Sequence, residues 1–387
     1  MTYQPDCTLS ADLLEQIAAT GLDALPELIR IIINTAMHAE RQQYLGVAPN
    51  ERSPQRRGQA NGYKPKTVTT RVGEITFAVP QVREGGFYPQ ALERGLRSER
   101  ALTLVLAEMY IQGVSTRKVA AITEQLCGCE VTSSQVSRAT AQLDTILESW
   151  RTRTLSACPY LYLDARYEKV RQDGRVLDAA VLIAAGVDAD GKRHILGVSV
   201  AASEHEAHWR TFLQRLVSRG LCGVTLIVSD AHSGLQAARR AVFGGVPWQR
   251  CQFHLQQNAQ AYVPRQEMKT EVALAIRAIF NAPNRLEADA LLAKTVEQYA
   301  KTASKLASWL ETTLPDGLTV FAFPQLHRRL IRTTNMVERL NKEIRRRTRV
   351  VGIFPNEAAC LRLVSALLME INDDWIAGKT YLTFVTQ

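Results

Sequence analysis

The sequence of 387 residues has no apolar run long enough to cross a bilayer. The longest, Ala179 to Val187, is far shorter than the ~20 residues a spanning helix needs. The opening Met1-Thr2-Tyr3-Gln4-Pro5-Asp6 lacks a basic segment followed by an apolar core, so no secretory signal is expected. Cysteine is sparse: seven residues, an odd number without framework spacing, which excludes a disulfide-stapled secreted scaffold and suits a reducing cytosol. No internal repeat or low-complexity segment is present. The expectation is a soluble, cytoplasmic protein with no membrane association.

A hydrophobic content of 46% is ample for real cores, and the length accommodates two or three domains. The formal charge of +9 and pI near 9.3 favour an anionic partner. That excess is modest and spread along the chain, so the partner has to be decided by individual sites.

Helical spacing opens the chain. Leu13, Leu14 and Ile17, then Leu25, Leu28, Ile29, Ile32 and Ile33, predict two amphipathic helices in an N-terminal region of 1–50, with Pro26 suited to a first turn. Region 51–98 begins with a polar arm, Arg52 to Gly62, whose Arg52, Arg56 and Arg57 are candidate phosphate contacts. It continues with alternation around Gly73-Glu74, the pattern of a β-hairpin that must pack on something to be stable. Region 99–150 reads as a helix-turn-helix-like unit. Its second helix starts near Thr132, and Ser133, Ser134 and Arg138 there suit base edges and phosphates, although an ordinary pair of antiparallel helices fits the same spacing.

From Ala157 the period changes to two. Tyr160 to Asp164, Ala179 to Val187 and His194 to Ala201 predict an antiparallel meander with turns at Asp173-Gly174 and Asp190-Gly191. A helix through Trp209, a strand ending at Asp230, a helix and a strand near Trp248 to Phe253 follow. That order is the order of an RNase H-like core. The expected fold class is therefore α/β: an RNase H-like catalytic core over 157–258 and 326–387, interrupted by an all-α insertion over 259–325 and preceded by the helical DNA-binding region with its small β-hairpin.

Asp164 and Asp230 each close a hydrophobic strand, and neighbouring strands would let them share cations. Asp230 followed by Ala-His-Ser also fits a helix cap. Glu338 is the third acid, on a basic helix where Glu338, Asn341, Lys342 and Arg345 share one face and Val337, Leu340 and Ile344 another. An ordinary solvated helix would pair Glu338 with Lys342 instead. Three carboxylates suit hard divalent ions, and flanking Asn335, Asn341, Lys342, Arg345, Arg346, Arg347 and Arg349 suit phosphate, a combination that fits cutting and joining of DNA. Cys251-Gln-Phe-His254 invites a zinc reading, but no second ligand pair lies near it and Cys127-Gly-Cys129 belongs to another region, so no zinc is expected and both residues are assigned to the site lining.

With these residues in place, the chain resembles the Mutator-like bacterial insertion-sequence transposases. The likeness runs nearly end to end, through Gly58 to Tyr63, Tyr110 to Val119, Leu163 to Tyr167, Trp209 to Gly220, Val228 to Gly234, Gln249 to His254 and Thr334 to Asn341. One departure lies at Pro80-Gln81-Val82-Arg83, where relatives commonly carry a second arginine after the proline. The resemblance implies that Asp164, Asp230 and Glu338 are the catalytic acids and metal ligands, holding two Mg²⁺ ions for which Mn²⁺ can substitute. It implies nicking at terminal inverted repeats, joining of the freed 3′-hydroxyl to target DNA through a circular intermediate, a homodimer or larger assembly on double-stranded DNA, and a nucleoid-associated location. Two rivals share much of the pattern. A DNA-binding regulator would keep the helix-turn-helix without catalysis, and an RNase H-like nuclease or junction resolvase would cleave without strand transfer.

Overall fold

The computed structural model describes residues 19, 21–47, 51, 53–54, 56–83, 86–92, 100–112, 114, 116–127, 130–141 and 143–384. These fall into two compact units, Met1–Gln142 and Leu143–Gln387. Leu13, Leu14 and Ile17, and hence the first expected helix, lie outside the described residues, as do Arg52 and Cys129.

In the first unit, helix α1 (Leu25–Leu45) begins with a proline in its first turn and ends at Gly46, whose φ of 70° lets its N–H bond Gln42 O. It covers the hairpin of β1 (Ala60–Thr70) and β2 (Gly73–Val82), paired as Val68↔Ile75 and Lys66↔Phe77. Met37, with Ile29 and Ile33 beside it, packs on Val68, Ile75, Phe77 and Val79. This is the support that a lone hairpin lacks. Three further helices, α2 (Arg100–Ile111), α3 (Thr116–Cys127) and α4 (Ser133–Ala141), enclose Leu102, Leu106, Val119, Val131, Val136 and Ala139. The start of α4 is fixed by a reciprocal cap: Gln135 N–H donates to Thr132 Oγ1 at 3.2 Å and Thr132 N–H to Gln135 Oε1 at 2.6 Å.

The second unit opens with α5 (Asp144–Thr152), whose Asp144 receives two 2.7 Å hydrogen bonds from Arg362 on α14 (Glu357–Ala377). The sequence reading groups α5 with the helices before it; its packing partner is this later helix. A five-stranded sheet follows, in the order β5-β4-β3-β6-β7. The long strands β3 (Tyr160–Gln172), β4 (Arg175–Val187) and β5 (Arg193–Ala201) form the expected antiparallel meander. Asp173 and Gly174 turn the first corner at φ 49° and 77°, the left-handed pair that a tight hairpin demands. Short β6 (Leu226–Ser229) runs parallel to β3, and β7 (Trp248–Arg250) parallel to β6.

Both faces of β3 are buried over residues 160–164, which explains its unbroken apolar start. Leu161 and Leu163 face α6 (Glu206–Ser218) and α7 (Ser233–Val242), meeting Trp209, Phe212, Leu213 and Leu235. Each such fully buried side chain contributes roughly 1.5–3 kcal/mol. Tyr160, Tyr162 and Asp164 alternate to the other face, where Tyr160 Oη meets His327 Nδ1 at 2.7 Å and Tyr162 Oη donates to Leu330 O at 3.2 Å. Helices α13 (Asn335–Val351) and α14 pack there, and Asn372 accepts from Ile195 N–H at 2.9 Å.

Between β7 and α13 the chain is helical: α8 (Gln252–Ala259), α9 (Met268–Phe280), α10 (Arg285–Ala300), α11 (Ser304–Thr313) and α12 (Gln325–Ile331). The side chains of Gln249 and Gln252 both donate to Gly317 O at 2.8 Å, tying this helical segment to the sheet edge. Among the described residues, no helix is long and apolar enough to cross a membrane.

Candidate functional site

The parallel register of β3 and β6 pairs Tyr162 with Val228. Two residues further along each chain stand Asp164, the fifth of the thirteen residues of β3, and Asp230, just beyond β6, so the two carboxylates are level on neighbouring strands; β3 runs on to Gln172, so the expectation that Asp164 closes its strand does not hold. Asp164 is buried at 8% exposure. Its Oδ1 accepts from Ala165 N–H at 2.9 Å and its Oδ2 from Asn341 Nδ2 at 2.8 Å. Burial, then the charge of Asp230, push its carboxyl up to about 7; Glu338 adds to the rise and His254 opposes it. Asp230 Oδ1 accepts from His232 N–H at 3.1 Å, so this residue does shape the turn into α7.

Helix α13 buries Val337, Leu340 and Ile344, as the spacing predicts. Glu338 and Asn341 lie one turn apart on a different face, and the Asn341 bond to Asp164 therefore directs Glu338 toward Asp164. Glu338 Oε1 lies 3.3 Å from Thr334 Oγ1 and 3.9 Å from His254 Nε2. The ion pairs within α13 are made by Glu343 instead, with Arg346 at 2.7 Å and Arg347 at 3.1 Å.

Cys251 is anchored one strand over by its N–H to Ser229 O at 2.8 Å. Its sulfur accepts from Thr334 N–H at 3.4 Å and Thr334 Oγ1 at 3.3 Å. Burial acts to raise the thiol, but the neighbouring His254 and the hydrogen bonds from Thr334 outweigh it and hold Cys251 below its ordinary value. The Cys251 sulfur beside it in turn lifts His254 to about 9 against burial, with the charges of Asp164 and Glu338 assisting. The two aspartates, Glu338, Cys251 and His254 thus occupy one neighbourhood, beside Asp164 within β3 and the carboxyl end of β6.

A family described as "Transposase, Mutator family" matches residues 2–378. The chain belongs to that family. It is 58% identical over 366 residues, 94% of each chain, to the transposase for insertion sequence element IS406 of Burkholderia multivorans (strain ATCC 17616 / 249). It is 44% identical over 383 residues, 99% of this chain and 96% of the relative, to the transposase for ISRM5 of Rhizobium meliloti (strain 1021). A more distant relative is the transposase for IS256 in transposon Tn4001 of Staphylococcus aureus, 38% identical over 391 residues.

In this member of the Mutator family, one acid beside the aspartates escaped the sequence reading. Glu204, between β5 and α6, is held by Tyr167 Oη at 3.1 Å and Trp209 Nε1 at 3.3 Å, and lies 3.5 Å from His232 Nδ1. Burial raises its carboxyl, His232 lowers it and Asp230 raises it again. Gly234 permits this arrangement: a Cβ there would sit 2.5 Å from Glu204 O. In the sequence Glu204 is one polar residue before a helix, with no periodicity to mark it.

The candidate DNA contacts separate by exposure. Ser133, Ser134 and Arg138 lie exposed on α4, and Asn335, Lys342, Arg345, Arg346 and Arg349 are exposed on α13. Arg57 is exposed, whereas the Arg56 guanidinium is engaged by Gly58 O at 2.9 Å and Glu51 O at 3.1 Å. Arg347 is buried at 7% exposure against Glu343, and Asn341 faces Asp164.

Proposed function

We propose that the chain is a DDE transposase, with Asp164, Asp230 and Glu338 as catalytic acids on an RNase H-like core interrupted by an all-α insertion. The observation that carries this reading is the Asn341–Asp164 bond, which draws the Glu338 face of α13 to the neighbouring positions of Asp164 within β3 and Asp230 just beyond β6. Family membership over nearly the whole chain supports it, as does the sheet order, three antiparallel strands followed by two parallel ones.

The donor set fits hard divalent ions. Its oxygens come from three carboxylates, and Asp164 is buried beside a second acid, an arrangement that a cation relieves. Mg²⁺, or Mn²⁺ in its place, held by Asp164, Asp230 and Glu338 would activate the attacking oxygen and stabilise the leaving one. Asn341 fixes the Asp164 carboxylate, Thr334 and His254 flank Glu338, and Glu204 flanks His232 beside Asp230. Water opens a phosphodiester at each element end, and the freed 3′-hydroxyl attacks a second phosphodiester, through a circular intermediate. The exposed cations of α13 and Arg57 of the 51–62 arm, with the polar start of α4, engage the terminal inverted repeats and target DNA. Two ends are brought together by a homodimer or larger assembly, in the cytoplasm on the nucleoid.

The test uses element-end DNA with Mg²⁺. Asp164→Asn, Asp230→Asn and Glu338→Gln are expected to abolish cleavage while leaving end binding within a few-fold of wild type; cleavage at the normal rate by any of them removes that residue from the assignment. Cleavage without strand transfer would identify a nuclease or resolvase, and end binding without any Mg²⁺-dependent breakage a regulator.

A further inference from the structure

We propose that Cys251, His254 and Glu338 form a second, softer cation site that takes a borderline transition-metal ion such as Zn²⁺ or Co²⁺ and withdraws Glu338 from the carboxylate cluster. The claim about Glu338 rests on the proposed function; the binding site itself does not. One ligand atom from each of the three residues lies within 4.8 Å of the others, and the site is empty. Sulfur, imidazole nitrogen and carboxylate oxygen form a three-ligand set of the kind that leaves one position of a tetrahedral ion open. Mg²⁺ disfavours such a set, while later first-row ions favour it.

Two further features point to an ion. The Cys251 sulfur is fully buried yet receives two hydrogen bonds from Thr334, the support that a coordinating thiolate needs. His254 Nδ1 is buried with no hydrogen-bond partner. The Thr334 hydroxyl also stands 3.3 Å from Glu338 Oε1; its one proton serves either acceptor, and the Thr334 N–H holds the sulfur when the hydroxyl turns to the carboxylate. His254 and Glu338 side chains remain 28% and 23% exposed, which gives an ion access from one side. Coordination would release the thiol proton to solvent. The sequence offers no second Cys or His pair near Cys251 and His254 along the chain. The third donor instead comes from α13.

Glu338 is the shared ligand, so the two cation sites compete. A hard ion draws it toward Asp164 and Asp230; a soft ion draws it toward Cys251 and His254. Zn²⁺ would then inhibit a Mg²⁺-supported reaction at concentrations far below that of Mg²⁺.

The experiment is a Co²⁺ titration of chelator-treated full-length protein without DNA, followed by the thiolate-to-cobalt charge-transfer band and the visible bands of tetrahedral Co²⁺. One Co²⁺ per chain is expected to produce both, Zn²⁺ to bleach them, and excess Mg²⁺ to leave them. Cys251→Ser should remove the charge-transfer band, and His254→Ala should weaken Co²⁺ binding at least about tenfold. Asp164→Asn should keep the band, which separates this site from the carboxylate cluster. Circular dichroism checks that each variant is folded; if Cys251→Ser is not, His254→Ala decides. Absence of the band, or a band lost with exposed Cys222→Ser and kept in Cys251→Ser, overturns the site. A cobalt band together with cleavage that saturating Zn²⁺ leaves unchanged overturns the sharing of Glu338. Loss of all cleavage activity with the band intact would count against the proposed function and not against the site.

Discussion

Asn341 donates its side-chain amide to Asp164 Oδ2 across 2.8 Å, joining α13 to β3. Arg166 reinforces the junction by donating to the Asn341 carbonyl, and Thr348 by donating to Glu168 Oε1 at 3.0 Å. The helix that carries Glu338 is thus fastened to the strand that carries Asp164, and the relative position of the two acids follows from that fastening.

Removing the amide is expected to damage the chemistry more than the binding. Asn341→Ala should lower single-turnover cleavage of element-end DNA by about 10–100-fold, the usual range for a residue that orients a ligand. Affinity measured by fluorescence anisotropy should stay within a few-fold. An affinity loss as large as the rate loss would make Asn341 a DNA contact.

Stability should carry the signature of Asp164. The unfolded carboxyl ionises near its ordinary 3.8, but burial and Asp230 keep the folded one protonated up to about 7. Between those values the folded state holds the extra proton, so stability falls as pH rises through the window. The full effect is on the order of 4 kcal/mol. Glu204, raised chiefly by burial, acts in the same direction. In calorimetry on protein stripped of divalent ions, the wild type should lose stability between about pH 4 and about pH 7, and Asp164→Asn should remove most of that loss. Equal slopes in the two proteins would contradict the buried-acid account.

Salt dependence separates exposed from buried arginines. Arg345→Ala and Arg349→Ala should each lower the slope of log affinity against log salt by about 1. Arg347→Ala should leave the slope unchanged and reduce thermal stability, because Arg347 is buried against Glu343. An anisotropy series over salt concentration reads both outcomes, and a slope change for Arg347 alone would reverse the assignment.

Glu204 acts as a positioning residue in this account, through His232 beside Asp230. Glu204→Gln is expected to slow cleavage by about 10–100-fold with end binding retained. Because the change removes a buried charge near Asp230, the melting temperature should hold or rise. Unaltered cleavage would leave Glu204 with a purely structural part.

The meander and Asp230 at its strand end were legible because a period of two gives way to polar turn residues at definable points; Asp164, read as closing its strand, lies within β3, which runs on through a polar stretch to Gln172. Glu338 was legible from the helix face it shares with Asn341. What a face packs against was not: Asn341 looked like a DNA contact until β3 stood opposite it. Arg347 could have been placed from spacing alone. It follows Ile344 by three residues and Leu340 by seven, on the buried stripe, and the surrounding basic run masked that. Glu204 sits in a connection without periodicity, so only the tertiary fold reveals its donors.

The account depends on three acids holding cations jointly, and Mn²⁺ electron paramagnetic resonance on the protein bound to element-end DNA tests it most directly. Wild type is predicted to hold two spin-coupled ions, with coupling lost in Glu338→Gln and in either aspartate-to-asparagine variant. Two coupled ions in Glu338→Gln, as in wild type, would contradict it.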